Sequence, residues 1–252
     1  MILRSITKHV KDQNWFAVGL DFFIVVFGVF IGLQVQQWAV ELQRQSSERQ
    51  YLARLHGEVE LLIESRNRYD QSRPAAAALL KEAAEILMSD SDENELSTSQ
   101  CRAISAASYL TVPPANLPTI TELLSSGRLD QIHSTNVRNS ILEYTQDASR
   151  ARDLISIQAT QAEDLARKYP ALIQTRFTDT ADFHNSCDTP AMRKNGAFMN
   201  EFSINTYTYT VYVNRALLPV SRQLGALHAV LDQALSIEHD KLETNPKIGK
   251  NE

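Results

Sequence analysis

Glycine and proline are scarce in this sequence, and their scarcity argues against a β fold with many tight turns. Only 8 of the 252 residues are glycine and only 8 are proline. Alanine, leucine, glutamate, glutamine and arginine are plentiful, and these residue types favour helices. We therefore predict an all-α fold.

The sequence also lacks the motifs of the common catalytic classes. It contains no G-x-S-x-G, Walker, H-E-x-x-H or G-x-G-x-x-G pattern. Its 25 basic side chains are outnumbered by 30 acidic ones, whereas nucleic-acid binding requires a basic face. We therefore expect no enzymatic activity, no cofactor, no small-molecule substrate and no nucleic-acid partner.

Long apolar runs are absent with one exception, which extends from Trp15 to Trp38. Between Trp15 and Leu33 the only charged residue is Asp21. At about 1.5 Å per helical residue the run spans roughly 35 Å, enough to cross a hydrocarbon layer of about 30 Å. Indole rings favour the headgroup level, so the two tryptophans are predicted to be interfacial anchors in membrane lipid. Residues 15–38 are therefore predicted to form a single transmembrane helix, an uncleaved signal anchor.

Residues 1–14, before the span, are predicted to form a short basic amphipathic segment. Its apolar residues fall on one helical face, and its basic residues Arg4, Lys8 and Lys11 fall on another. Helices of this kind lie along anionic membrane surfaces. A plain positive flank that sets the topology of the span explains the same residues.

The orientation of the span is predicted from two further features, because basic residues flank it on both sides. About 12 residues precede it, too few for a folded domain, and long domains translocate largely regardless of charge. Both cysteines follow it, as an oxidising compartment permits. We therefore expect a cytoplasmic N-terminus and a main domain outside the cytoplasm.

One face of the span is predicted to pack against another helix. Its members share a helical face because they follow one another at intervals of four and three residues: Asp21, Val25, Gly28, Gly32 and Val35. Small residues allow two backbones to approach closely, and an intramembrane carboxylate usually faces protein or water. We expect a transmembrane helix of a second copy or of another membrane protein as the partner. Alternatively, Asp21 reaches the nearby interface and the glycines have no partner.

Residues 39–240 are predicted to form a helical bundle outside the cytoplasm, and residues 241–252 a polar tail. The membrane helix is expected to continue into this domain until Pro74 ends or kinks it. Ala75–Met88 is then expected to form a separate helix. In the apolar stripe before the proline, Arg66 occupies a position where an apolar residue is expected.

Local signals place the remaining helices. They are capping boxes at Ser97-x-x-Gln100 and Thr119-x-x-Glu122, a helix end at Gly127, and Ser134 as the cap of a helix to about Tyr169. Phe177–Asn195 is expected to be irregular. Tyr207–Val213 alternates like a β-strand, but no second strand is evident to pair with it. We therefore predict a long helix there, kinked at Pro219.

Cys101 and Cys187 are the whole complement of cysteine. In an exported domain such a pair more often forms a disulfide than stays reduced, so we predict a bridge. In a cytoplasmic domain, two buried thiols would be expected instead. The set His184-x-x-Cys187-Asp188 offers two ligand types on one loop without a second pair, so no metal site is predicted. The other histidines are expected singly, at the surface or in the core.

Two blocks of sequence carry a resemblance. The first is KDQNWFAVGLDFFIVVFGVFIGLQVQQW, which ends at Trp38, and the second is TITELLSSGRLDQIHSTNVRNSILEY, which begins at Thr119. Both resemble an uncharacterised family of small single-pass membrane proteins of Gram-negative bacteria, a domain of unknown function. The resemblance implies a membrane anchor and a helical domain, and it implies no catalytic or ligand-binding residue.

Together with this resemblance, the features above predict a non-enzymatic protein of a bacterial inner membrane, with a cytoplasmic N-terminus and a periplasmic main domain. It would act as an accessory or scaffold subunit. It would associate through its span and its membrane-proximal helix, as an oligomer or with another membrane protein. The alternative is a periplasmic ligand sensor that signals through the transmembrane helices of a partner.

Overall fold

Helices dominate the computed structural model, which describes residues 15–89, 94–177 and 183–238. The predicted amphipathic segment 1–14 and polar tail 241–252 lie outside the described residues, as do the side chains of Trp15 and Asp21. The elements in chain order are α1 (Trp15–Leu87), α2 (Thr98–Ala106), α3 (Pro118–Ser125), a 3₁₀ turn (Leu129–Gln131), α4 (Thr135–Gln161), α5 (Leu165–Lys168), β1 (Ile173–Phe177), β2 (Phe183–Cys187), α6 (Thr189–Lys194), α7 (Gly196–Val211), a π-helix (Tyr212–Leu217) and α8 (Leu218–Leu235).

The chain divides into two compact units, Met1–Gln50 and Tyr51–Glu252. In the first unit, every described side chain from Leu20 to Val40 is exposed. In the second unit, α4 packs along α8 and the π-helix, and buried apolar side chains from most of its helices form one core. Each unit thus has its own pattern of burial.

The helix α1 continues through Pro74, so the prediction that this proline ends a helix and that Ala75–Met88 forms a second one is wrong. Proline lacks the N–H that would bond the carbonyl of Asp70, at a cost of about 3 kcal/mol. Apolar residues on both sides of it are buried, namely Leu52, Leu55, Val59 and Leu62 before it and Leu80, Ala83 and Leu87 after it. We infer that their packing outweighs the missing bond.

Two predicted helix starts and one predicted helix end are confirmed. The Ser97 side chain accepts from the N–H of Gln100, and the Gln100 side chain accepts from the N–H of Ser97, which completes the capping box of α2. Ser134 caps α4 by accepting from the N–H of Val137. Gly127 follows the end of α3 with a φ of 67°, a conformation that favours glycine.

The second predicted capping box, at Thr119 and Glu122, is wrong. The helix α3 begins at Pro118 without a side-chain cap, and proline suits this position because its missing donor is not needed there. The two side chains contact α1 instead. Thr119 donates to Glu58 over 2.7 Å, and Glu122 pairs with Arg54.

The helix α4 ends at Gln161 rather than near Tyr169. The side chain of Asn205 on α7 accepts from the backbone N–H of Glu163 and donates to its carbonyl. Both backbone groups of that residue are thereby satisfied without a helix. Asp164 then caps the short helix α5.

The prediction that Phe177–Asn195 is irregular is wrong, and the fold is mostly helical rather than all-α. The strands β1 and β2 pair antiparallel, with Ile173 opposite Cys187, and α6 follows them. Only the first residue of β1 is buried, so the strand lacks the alternation that would mark it in the sequence. Backbone hydrogen bonds between the strands hold the hairpin.

Tyr207–Val213 is helical, as predicted. A π-helix carries α7 into α8, and Pro219 lies in the first turn of α8. The backbone N–H of Leu218 donates to the carbonyl of Val213, five residues back, where an α-helix would use four. Tyr209 and Tyr212 are buried and belong to the core.

Candidate functional site

The apolar part of α1, from Leu20 to Val40, is the first candidate surface. Phe27, near its middle, is 60% exposed. Among the described residues, α1 is the one helix long and apolar enough to cross a membrane, and none of its most apolar window is buried. Trp38 is exposed, as an interfacial anchor would be, while the side chain of Trp15 lies outside the described residues. Monomeric soluble proteins rarely expose an apolar surface of this extent.

The predicted packing face lies open on this surface. Val25 and Val35 are exposed, and a Cβ added at Gly28 or Gly32 would meet nothing within 4 Å. Another helix could therefore approach the backbone closely at both glycines. Asp21 lies within α1, but its side chain is outside the described residues. The association of this face with another helix stays a prediction.

The two cysteines predicted to pair come together in the second unit. Cys101 on α2 and Cys187 at the end of β2 form a disulfide with a Cα–Cα distance of 5.8 Å. The bridge joins the hairpin to α2. Because Cys187 is bonded and Asp188 caps α6 by accepting from the N–H of Ala191, the set that includes His184 does not form a metal site.

Arg66, the polar interruption of the apolar stripe, is only 2% exposed. Its guanidinium donates to the carbonyl of Pro114 at 2.7 Å, to that of Leu217 at 3.3 Å and to the hydroxyl of Ser221 at 3.0 Å. Ser221 in turn donates to Asp70. These bonds join α1 to the loop before α3 and to the last helices. The arginine thus has a structural role.

Three tyrosines in the same core are held in their neutral form. Burial raises the pKa of Tyr144 to about 12, against a smaller opposing effect of Arg66. Burial also raises the pKa values of Tyr209 and Tyr212. The hydroxyl of Tyr144 donates to the carbonyl of Ala115 at 2.8 Å. A buried phenol with a raised pKa is poorly suited to exchange protons near neutral pH.

A cavity of about 480 Å³ lies between α2, α5 and the hairpin. Its polar lining includes Arg102, Tyr109, Asp164, Arg167, Thr175 and Asn185. Asn185 is 6% exposed, and its Oδ1 accepts no hydrogen bond from the described residues. Buried polar atoms are usually satisfied, so this acceptor suits a donor from a molecule in the cavity.

Two histidines from distant parts of the sequence stack in the second unit. The rings of His56 on α1 and His228 on α8 have centroids 4.9 Å apart and an interplanar angle of 23°. On one side, Asp232 places its oxygens 2.8 Å from Nε2 of His56 and 3.4 Å from Nδ1 of His228. On the other side, Glu60 lies 3.7 Å from Nδ1 of His56 and 3.9 Å from Nε2 of His228.

This arrangement could hold a metal ion. One donor atom each from His56, Glu60 and His228 lies within 4.8 Å of the other two. The prediction that these histidines occur singly is therefore wrong. The available signal was a repeated spacing, His56-x-x-x-Glu60 and His228-x-x-x-Asp232, which places each pair on one face of a helix.

Comparisons with models of protein families, with curated proteins and with solved structures find no match to this chain. The resemblance to a family of single-pass membrane proteins therefore stays a prediction. The candidate sites rest on the geometry of the chain itself.

Proposed function

We propose that this protein is a single-pass membrane protein that acts as an accessory or scaffold subunit, with the unit Tyr51–Glu252 outside the cytoplasm. The observation that carries the proposal is the exposure of every described side chain of the apolar segment from Leu20 to Val40. Exposure of such a surface to water costs a free energy of roughly 25 cal/mol for each Å² of apolar area. A bilayer removes this cost along the whole length of the segment.

The disulfide supports the placement of the second unit. Cys101 is buried and bonded to Cys187, and disulfides persist mainly in oxidising compartments such as the periplasm. The bridge therefore favours a periplasmic placement of the second unit, which in a single-pass protein of a bacterial inner membrane leaves the N-terminus in the cytoplasm.

Association through the span supports a scaffold role. Gly28 and Gly32 leave the backbone of α1 open on one face, and in lipid the close approach of two helices at small residues provides packing that lipid tails do not. The carboxylate of Asp21 lies on the same face of the helix by sequence spacing. A donor on the neighbouring helix would offset the cost of keeping this group in the membrane.

Substitutions on the two faces of the span test this role. Gly28→Ile and Gly32→Ile should each separate the backbones and reduce crosslinking or co-purification of the tagged full-length protein from membranes. Phe27→Ile should leave association unchanged, because it keeps an apolar side chain on the lipid-facing side. Asp21→Asn removes the charge but keeps the hydrogen-bonding capacity. It should weaken association if Asp21 pairs with a charged partner, and preserve association if its partner is a neutral donor. Equal behaviour of the Gly28, Gly32 and Phe27 variants would reduce the span to an anchor.

A ligand sensor is the second candidate function, and the cavity beside the hairpin favours it. The Oδ1 of Asn185 accepts no hydrogen bond from the described residues, so it suits a donor. Arg102 and Arg167, of which the latter pairs with Asp164, line the same cavity, and guanidinium groups favour a carboxylate. A small zwitterionic molecule, such as an amino acid, offers both groups. Binding would then be transmitted through the transmembrane helices of a partner.

A panel of free amino acids tests the sensor. A ligand at 100 times its dissociation constant stabilises the folded state by about 2.7 kcal/mol, which a thermal unfolding scan of the full-length protein detects. Asn185→Ala should abolish the stabilisation, whereas Ser186→Ala, at an exposed position of the same strand, should preserve it. If no member of the panel raises the unfolding temperature, the sensor reading fails for this ligand class.

A further inference from the structure

The cluster of His56, Glu60, His228 and Asp232 presents metal-binding atoms from two helices at one point. Glu60 follows His56 by four residues on α1, and Asp232 follows His228 by four residues on α8. Each pair therefore projects from one helical face. Imidazole nitrogen and carboxylate oxygen are the donors, besides thiolate, that Zn²⁺ takes in proteins.

We propose that Nδ1 of His56, Nε2 of His228 and the carboxylate of Glu60 bind a divalent transition-metal ion, with Zn²⁺ as the best fit. Ligand atoms around a tetrahedral Zn²⁺ with bonds of about 2.05 Å lie roughly 3.4 Å apart. Oε2 of Glu60 lies 3.7 Å from Nδ1 of His56, and Oε1 of the same carboxylate lies 3.9 Å from Nε2 of His228. Both distances are too long for hydrogen bonds and only slightly longer than the edge of that tetrahedron. Small side-chain rotations bring the three donors onto one ion.

Asp232 is a positioning residue in this site. It faces the other nitrogen of each ring, at 2.8 Å from Nε2 of His56 and 3.4 Å from Nδ1 of His228. With its proton on Nε2, His56 donates to this carboxylate, which directs the lone pair of its Nδ1 toward Glu60. Metal-binding histidines commonly donate their second N–H to a carboxylate in this way.

The burial of the cluster leaves one side of the ion open. The side chains of His56 and Asp232 are largely enclosed, whereas that of Glu60 is 50% exposed. Three protein ligands occupy three positions of a tetrahedron, so the fourth faces solvent and takes water or a group from another molecule. None of the ligands is a cysteine, so the site is compatible with the oxidised state of Cys101 and Cys187.

A bound ion would join α1 to α8 within the second unit. His56 and Glu60 belong to the part of α1 that follows Tyr51, and His228 belongs to the last described helix. Because the ion would bind the folded arrangement and not the separated helices, it would stabilise the domain by mass action. The inference does not depend on the proposed membrane role.

Zinc binding to the full-length protein in mild detergent tests the proposal. The protein is purified with a tag that contains no histidine, is freed of metal with a chelator and is titrated with Zn²⁺ by calorimetry. We expect about one equivalent of tightly bound ion, as for a site with three protein ligands. Co²⁺ in the same site should give the visible absorption of tetrahedral nitrogen and oxygen coordination, without a band from thiolate.

Variants of the four residues and a matched histidine complete the test. His56→Gln and His228→Gln should weaken Zn²⁺ binding by at least about 100-fold, and Asp232→Asn by about 10- to 100-fold, the usual effect of removing a partner of a metal ligand. His184→Gln, at an exposed position of β2, should bind Zn²⁺ as the wild type does. Glu60→Gln changes a half-exposed side chain and keeps the fold, so it addresses the site even where a histidine variant unfolds.

Two results would overturn the proposal. The first is binding of much less than one equivalent of Zn²⁺ by the wild-type protein. The second is equal affinity of the wild type and Glu60→Gln, which would place any bound ion elsewhere on the chain. Loss of binding in Glu60→Gln together with retention in His184→Gln supports the site as described.

Discussion

Phe27 and Leu61 lie on the same helix and are exposed to a similar degree, 60% and 69%, yet their neighbours differ. Every described side chain near Phe27 is exposed as well. Leu61 lies between buried residues, since Val59 and Leu62 belong to the core. Individual exposure therefore does not distinguish the two regions, whereas the pattern around each residue does.

The difference indicates which surroundings stabilise each region. From Tyr51 onward, most apolar residues at helical spacing are buried by protein, and the exposed ones are scattered along the chain among buried residues. Isolated apolar residues on a surface are normal and need no partner. From Leu20 to Val40 every described side chain is exposed, and under the proposed function lipid or another helix covers this surface.

The largest effect is expected from charges placed in the apolar segment. The double substitution Val26→Arg and Phe27→Arg should remove the protein from membranes, because each arginine near the centre of a span costs about 2.5–3.5 kcal/mol. Leu61→Arg, at a comparably exposed position of the same helix, should leave membrane association unchanged. The fraction of protein in the pellet after an alkaline carbonate wash measures both. Equal retention of the two variants in the pellet would contradict the claim that Leu20–Val40, and not the region around Leu61, holds the protein in the membrane.

Removal of the buried arginine should have the next largest effect. Arg66→Ala leaves the hydroxyl of Ser221 and the carbonyls of Pro114 and Leu217 without this donor, and it removes the charge that faces Asp70 at 3.8 Å. The breaking of a buried charge network typically costs about 3–5 kcal/mol. Arg68→Ala, on the exposed side of α1, should change the free energy of unfolding by no more than about 0.5 kcal/mol. Denaturant unfolding of both variants checks this. Similar losses would show that Arg66 has no special role.

Loss of the disulfide should have an intermediate effect on the second unit. Cys101→Ser combined with Cys187→Ser should lower the free energy of unfolding by roughly 2–4 kcal/mol, since the bridge closes a long loop. The span should be unaffected, and the variant should stay in membranes. Mass mapping without reductant tests the bridge itself. Two unmodified thiols in freshly isolated membranes would refute the pairing.

The smallest effect concerns Tyr144 and pH. Its pKa is raised to about 12 in the folded state, so its stabilising contribution is fully present below the unfolded pKa near 10 and is lost as pH rises through 12. Tyr144→Phe should cost about 1 kcal/mol at neutral pH through the lost bond to Ala115. It should also reduce the loss of stability above pH 10. Denaturation midpoints at several pH values measure both, and an unchanged alkaline slope would contradict the assignment.

Local sequence signals correctly predicted those helix ends that depend on hydrogen bonds and backbone angles within a few residues. Ser97 and Ser134 each accept a hydrogen bond from a backbone N–H three residues later, and Gly127 adopts a positive φ after the end of α3. Each performs the predicted role. Tyr207–Val213 is helical, as predicted. A strand there would need a partner strand to satisfy its backbone hydrogen bonds. Proline normally ends or kinks a helix, but α1 continues through Pro74. We infer that the buried apolar residues on both sides of it stabilise the helix.

The features that were not predicted depend on contacts between residues far apart in the sequence. The hairpin has little alternation and depends on pairing between two strands and on a cysteine far upstream. Thr119 turns from its own helix toward Glu58 on α1. His56 and Asp232 lie 176 residues apart in sequence, so only the folded chain brings the candidate metal ligands together. The repeated four-residue spacing, which the prediction did not use, places each pair on one helical face but does not show that the two pairs meet.

Alkaline phosphatase fused after Glu252 tests the central claim most directly, because the enzyme is active only outside the cytoplasm and its activity can be followed through membrane fractionation. The account predicts an active enzyme that stays in the membrane pellet after an alkaline carbonate wash. An inactive fusion would contradict the periplasmic placement of the second unit. Activity released into the wash would contradict the role of Leu20–Val40 as a membrane span.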